Sequence, residues 1–157
     1  MMQDIPITFA QLRRNAKKNM CGMPTYRLAV LGDCATQHLS VALKGFAYTH
    51  YLALEVFDAD YNQILPQVMD SCSQLYEFNP STVLVYMCVE NLHASWCDTP
   101  DNARSGFAEN SCSRIKEYWR YISSNCQANI LQFTFAENDD AVFGNYSVRK
   151  FVVAVFE

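Results

Sequence analysis

Short apolar runs alternate with amphipathic stretches along the chain. Four apolar runs have the length of strands and end at glycine or at polar turns: residues 26–31, 52–57, 82–89 and 128–135. Helical or mixed patterns cover residues 7–18, 36–47, 61–69 and 107–124. Uniformly apolar strands that alternate with helices indicate a parallel sheet covered on both faces. We therefore expect an α/β fold, a three-layer α/β/α domain with a mostly parallel, flavodoxin-like sheet.

The length fits one domain. Half of the 157 residues are hydrophobic, which is enough for a substantial core. We divide the chain into a lead-in helix and loop at 1–24 and an α/β domain at 25–157. Residues 151–156 are apolar and predict a last short strand. If the domain is incomplete at its carboxyl end, a sheet edge is exposed, and we then expect self-association.

Charge and hydropathy exclude several classes of partner. The formal net charge is -4, which argues against a nucleic acid because phosphate binding needs a basic surface. No apolar run approaches the ~20 residues of a membrane span. Residues 1–19 lack the apolar core of a signal peptide. We expect a cytoplasmic protein without a membrane partner.

The cysteines are typical of a reducing compartment. There are seven, an odd number, and no two form a C-x-x-C pair. We expect reduced, mostly buried small side chains. His93 and Cys97 are four residues apart, but no further zinc ligand accompanies them at short spacing. The sequence therefore predicts no metal and no cofactor.

Candidate chemistry follows the predicted strands, because sites in open α/β sheets lie at the carboxyl ends of strands. Cys34 comes after the first strand, where a helix amino terminus would favour its thiolate, a nucleophile and acyl acceptor. His38 would share its helix face, Asp33 and Asn91 could orient groups nearby, and the loop residue His93 could act as a base. Alternatively, Cys34 is simply small enough for the tight turn. The substrate-binding candidates at these strand ends are Gly32, Thr36, Gln37, Asp60, Asn62 and Glu90.

An acidic motif after the second strand has a second interpretation. Asp58 and Asp60 form a D-x-D pair like the nucleophile loop of haloacid-dehalogenase-type phosphatases, and Asp139-Asp140 is similar to their late acidic pair. However, Asn62 stands where that loop needs Thr or Val, and the pair follows the second strand, not the first. We interpret these residues as solvated turn acids.

Several blocks of the sequence resemble one family. Residues 27–37 (RLAVLGDCATQ) are similar to the opening motif of FkbH-like proteins, and weaker similarity covers residues 7–18, 43–45, 58–63 and 74–80. The resemblance implies an SGNH-hydrolase-like amino-terminal domain that precedes a haloacid-dehalogenase-like (HAD) phosphatase domain in bacterial proteins. It also implies transfer of a small, glyceryl-type acyl group through a cysteine thioester to an acyl carrier protein. By this resemblance Cys34 takes the position of the SGNH nucleophile, and Asn91 that of the asparagine that stabilises an oxyanion.

The chain also departs from that pattern. The second SGNH block lacks its glycine, no Asp-x-x-His block supplies a general base, and no HAD domain is present, so we expect a truncated chain without a complete active site. Two alternatives stay open. One is a non-catalytic domain that binds or positions a HAD-type phosphatase or a carrier protein. The other is a degenerate SGNH-type esterase that uses Cys34 with His93 or His38.

Overall fold

The computed structural model describes residues 7–135. It contains four strands and six α-helices in that range, with one 3₁₀ helix at Asp101–Gly106. The strands are β1 Thr25–Gly32, β2 Ala53–Asp58, β3 Thr82–Tyr86 and β4 Asn129–Gln132. The helices are α1 Phe9–Asn15, α2 Gln37–Thr49, α3 Ile64–Met69, α4 Gln74–Phe78, α5 Val89–Cys97 and α6 Phe107–Asn125.

The described strands form one parallel sheet in the order β2-β1-β3-β4. β1 lies between its partners, with Val30 opposite Asp58 on β2 and Gly32 opposite Tyr86 on β3. All carboxyl ends therefore meet at one edge. The predicted three-layer α/β fold is confirmed.

Both faces of the sheet are covered, which explains why β1 from Leu28 onward and β3 from Val83 onward are apolar. Ala29 and Leu31 point to one face and pack with buried residues of α3, α4 and α6. Leu28 and Val30 point to the other face, where Leu43 of α2 packs against them. Because successive strand residues alternate between faces, every position of β1 from Leu28 onward is buried.

Helix α1 packs against α2 at a glycine. A Cβ atom at Gly45 would overlap the Leu12 carbonyl oxygen, so only glycine permits this approach. Phe9 and His38 add an edge-to-face ring contact with centroids 5.5 Å apart. Thr8 begins α1 with a capping box, in which Gln11 and Thr8 satisfy each other's backbone N–H groups.

Three local predictions were wrong. The third strand ends at Tyr86, and Val89 already belongs to α5, which the sequence pattern did not indicate. The short α4 was also not predicted. The cysteines are not mostly buried: Cys21, Cys72, Cys97 and Cys112 are exposed and the other three are intermediate.

The predicted strand at 151–156 and the acidic pair Asp139-Asp140 lie outside the described residues. Between residues 7 and 135, no helix is long and apolar enough to cross a membrane.

Candidate functional site

The candidate site lies where the chain order of the strands reverses. From β1 the chain continues to β2 on one side, whereas β3 pairs with β1 on the other side. The loops that follow β1 and β3 therefore lead to opposite faces of the sheet and leave a crevice between them. Asp33 and Cys34 come from the first loop, Cys88 from the second, and Asn91 from the first turn of α5.

Asp33 joins the two loops by three hydrogen bonds. Its carboxylate oxygen Oδ1 accepts the backbone N–H of Cys88 at 2.8 Å, and its carbonyl accepts the Asn91 side-chain amide at 2.7 Å. Its own N–H donates to the Tyr86 carbonyl at 3.3 Å. Asp33 and Asn91, both predicted to orient groups near Cys34, are thus in contact with each other. The amide of Asn91 holds the Asp33 backbone, so one of its two N–H donors is already engaged.

Cys34 lies beside a second thiol. The sulfur atoms of Cys34 and Cys88 and a carboxylate oxygen of Asp33 lie within 4.8 Å of one another. Burial raises the pKa of Cys34 from 9.0 to about 11, and the neighbouring Cys88 and the charge of Asp33 add to the shift. The expectation that the site stabilises the Cys34 thiolate is therefore wrong. Helix α2 begins only at Gln37, so Cys34 precedes its first turn and gains little from its dipole.

The cysteine at a helix amino terminus is Cys88, not Cys34. Cys88 is the N-cap of α5, although its side chain makes no capping hydrogen bond. Burial raises the pKa of Cys88, and the nearby Asn91 backbone N–H offsets part of that shift. Cys88 was not predicted as a site residue, because residues 82–89 have the pattern of one uninterrupted strand.

In the described part of the chain, no histidine is hydrogen-bonded to Cys34 or Cys88. His93 is on α5, not in a loop, and its ring stacks on Trp96 and lies 3.8 Å from the Cys97 sulfur. His38 contacts Phe9, and Cys34 does not share its helix. Within residues 7–135, no hydrogen bond joins a histidine to Cys34, so a Cys–His pair is not formed there.

Gly32 and Thr36 shape the loop after β1. A Cβ at Gly32 would lie 2.5 Å from Cγ2 of Thr36. Thr36 is only 2% exposed and donates its hydroxyl to Asp58 Oδ1 at 2.5 Å, which ties this loop to the end of β2. Because that hydroxyl is engaged and buried, it is not available to a substrate as we had expected. Asp58 therefore holds this loop through its hydrogen bond with Thr36 and is not a freely solvated turn acid.

A cleft of about 320 Å³ opens next to Asp33. It is bounded by the loop after β2, by α5 and by α6. Of the predicted site residues, Asp33, Asn62 and Asn91 line it, whereas Gln37, Asp60 and Glu90 are exposed outside it. Two lining residues were not predicted, Arg114 and Tyr118. Both lie on the long amphipathic α6, where a charged residue and a tyrosine carry no signal of their own.

Among the residues that the structure describes, Asp33, Cys34 and Cys88 have ligand atoms close enough together to share a metal ion. Three protein ligands is the number typical of catalytic zinc sites. One Asp33 oxygen already accepts the Cys88 N–H, and both thiols bind their protons more tightly than usual.

Fold and site together define a parallel α/β domain whose candidate site is a pair of thiols at the switch point of the sheet. The chain belongs to the family described as FkbH, N-terminal domain, whose sequence profile matches residues 27–156. The opening motif at 27–37 lies inside this match. A search of the curated proteins found no match.

A solved structure has the same fold. It is the crystal structure of the N-terminal part of the protein BF1531 from Bacteroides fragilis, containing a phosphatase domain complexed with Mg. The two chains are 24% identical with a TM-score of 0.81, and the match covers 96% of this chain. The match spans only 40% of the length of that chain. At this identity the similarity shows the fold.

Proposed function

We propose that this domain carries a small acyl group on Cys34 and passes it to the thiol of a carrier protein. The observation that supports the proposal most directly is the position of Cys34 after the central strand β1, where its sulfur lies within 4.8 Å of a carboxylate oxygen of Asp33. Asp33, but not Cys34 itself, lines a cleft of small-molecule size. The membership of this chain in the family adds the expectation of an SGNH-like domain that works with a HAD-type phosphatase.

The chemistry balances with an acyl phosphate as donor. The Cys34 sulfur attacks the acyl carbon, a C–S bond forms, and the bond from that carbon to the phosphate oxygen breaks. The thiol proton leaves with the departing phosphate. In the second step the carrier thiol attacks the same carbon, the bond to Cys34 breaks, and Cys34 recovers a proton from the incoming thiol. Neither step needs an oxidant or a reductant.

The raised pKa of Cys34 suits a protein that reacts only with an activated donor. At neutral pH the thiol is almost fully protonated, so its attack is slow without a strong leaving group such as phosphate. We assign the oxyanion donors to backbone N–H groups at the start of α5 and to the second Asn91 amide hydrogen, because the first is bound to Asp33.

Intact-protein mass spectrometry tests the proposal. The protein is incubated with acetyl phosphate and, separately, with a glyceryl-type acyl phosphate, and is then treated with neutral hydroxylamine. We expect one hydroxylamine-labile acyl group, located on Cys34 by peptide mapping and absent in Cys34→Ser. Cys112→Ser is the matched control, since it removes an exposed cysteine on α6 and should acylate normally.

The opposite result supports a different class of function. If Cys34 stays unmodified while exposed cysteines acylate, the domain is better described as a non-catalytic module. In that case the thiol is a small turn residue, and the crevice positions a phosphatase domain or a carrier protein.

A further inference from the structure

Tyr118 on α6 has a buried ring and a hydroxyl at the cleft. The residue is 7% exposed, and its ring packs in the main core cluster. The residue lines the cleft, and in the described range its hydroxyl makes no hydrogen bond to another protein group. Burial raises the pKa of Tyr118, the Arg114 charge lowers it, and the charges of Asp33 and Glu117 raise it. A hydroxyl that a buried ring holds at the wall of a cleft, with no protein partner, is available to a ligand.

Arg114 stands one helical turn before Tyr118 and lines the same cleft. In residues 7–135, Arg27, Arg104 and Arg120 each form an ion pair. Arg114 forms neither an ion pair nor a side-chain hydrogen bond there, although Asp33 and Asp98 also line the cleft. Arg114 is exposed, and its guanidinium therefore offers N–H donors to a ligand in the cleft that Tyr118 also lines.

We propose that Arg114 and Tyr118 together bind the oxyanion of a small hydroxylated ligand, a carboxylate or a phosphate, in this cleft. Guanidinium and phenol are both donors and form charge-assisted hydrogen bonds with such a group. The acceptors Asp33 and Asp98, with the amide of Asn62, suit hydroxyl groups at the other end of the ligand. A volume of about 320 Å³ admits only a small metabolite.

The site is adjacent to the thiol. Asp33 lines the cleft and also lies within 4.8 Å of the Cys34 sulfur, so a ligand held by Arg114 and Tyr118 would extend toward Cys34. Identification of this ligand with the acyl donor rests on the proposed function. Binding itself does not need a reactive thiol, so the two proposals can fail separately.

Titration calorimetry with the 157-residue protein tests the inference. The probes are glycerate, glycerol 3-phosphate and, as the neutral control, glycerol. We expect saturable binding of one or both anions and none of glycerol, and the tighter anion identifies the source of the oxyanion. Arg114→Gln and Tyr118→Phe should each weaken that binding about tenfold or more, as expected for hydrogen bonds to a charged group. Arg114→Lys should restore only part of it, since an ammonium lacks the planar fork.

Two variants separate the outcomes. Arg120→Gln removes an equal charge from the same helix outside the cleft and should change the affinity less than twofold. Cys34→Ser should bind the anion normally even though it abolishes acylation. No saturable binding of either anion, or equal losses in Arg114→Gln and Arg120→Gln, would overturn the inference. Unfolding curves without ligand show whether each variant is folded, and Tyr118→Phe keeps the ring in the core.

Discussion

The Asp33 carboxylate and the Cys88 backbone N–H, 2.8 Å apart, connect the ends of the two neighbouring strands that frame the candidate site. The same carboxylate lies beside two thiols and at the wall of the cleft. Asp33 therefore has a structural effect through its hydrogen bonds and an electrostatic effect through its charge. These effects can be separated by substitution.

Asp33→Asn should lower the pKa of Cys34. The substitution keeps an oxygen that can accept the Cys88 N–H, while it removes a charge that disfavours the thiolate. The measurement is the pH dependence of Cys34 alkylation, followed by peptide mapping. Asp98→Asn is the control, because Asp98 lines the cleft but is not among the groups that shift Cys34. Equal profiles for the two variants would contradict the assigned role of Asp33.

Native Cys34 should alkylate slowly at neutral and mildly alkaline pH. With a pKa of about 11 instead of 9.0, it carries roughly 100-fold less thiolate at about pH 8. The reference is the same residue in urea-unfolded protein, treated with the same iodoacetamide concentration. A native rate equal to or above the unfolded rate would show that the thiol is activated and would reverse this prediction.

Stability should fall in alkaline solution. The unfolded chain loses the Cys34 proton near pH 9.0, whereas the native protein holds it until about 11. The native state therefore binds more protons in this window, and the free energy of unfolding decreases as the pH rises from about 9 to about 11. Below about pH 8 this thiol contributes no pH dependence.

Urea unfolding at a series of pH values checks that window. Cys34→Ser should flatten the decline in part, because Cys88, Tyr76, Tyr86 and Tyr118 also have raised pKa values. An unchanged slope in Cys34→Ser would mean that the Cys34 thiol titrates alike in both states.

Gly32→Ala should destabilise the protein by about 1–3 kcal/mol, because its new methyl group meets Cγ2 of Thr36 at 2.5 Å. Thr36→Ser removes that Cγ2 and keeps the hydroxyl that Asp58 accepts. Thr36→Ser should therefore lower the free energy of unfolding less in the Gly32→Ala protein than in the native protein. Chemical denaturation of all four proteins gives the coupling energy. Strict additivity would show that the clash is relieved elsewhere.

Gly45→Ala should lift α1 from α2. Alanine is favoured over glycine in a helix by about 1 kcal/mol, yet its Cβ would overlap the Leu12 carbonyl. We expect a net loss of stability of about 1–3 kcal/mol and altered NMR shifts throughout α1. Lys44→Ala, at the preceding position, should stay within about 0.5 kcal/mol. A more stable Gly45→Ala protein would mean that the two helices separate without cost.

Local patterns predicted much of the fold, because β1 and β2 are apolar runs that end at a glycine or a polar turn and α6 is long with a clear helical period. The end of β3 was missed for a physical reason: Met87 and Val89 are as apolar as the strand, and only the N-cap geometry of Cys88 turns the backbone into α5. In the same way α4 is too short for a recognisable period.

The site was predicted in part. The rule of strand ends located Asp33 and Asn91, whose contact is observed, and it drew attention to Cys34. Cys88, Arg114 and Tyr118 were missed because their roles depend on tertiary neighbours: a thiol across the crevice and a cleft between helices. The predicted direction of the Cys34 pKa shift was wrong for the same reason. Burial and a nearby carboxylate raise this pKa and outweigh the dipole of a helix that begins three residues later.

The close contact at Gly45 has a consequence for the order in which the protein opens. None of the seven residues of α1 is buried, and its main packing partner is α2. The helix therefore can detach while β1, with its fully buried residues, stays paired on both sides. Amide protons in α1 exchange with solvent through this local opening, whereas those of central β1 wait for global unfolding. Helix α1 is thus expected to open at a lower free energy than the sheet, which stays folded while α1 is detached.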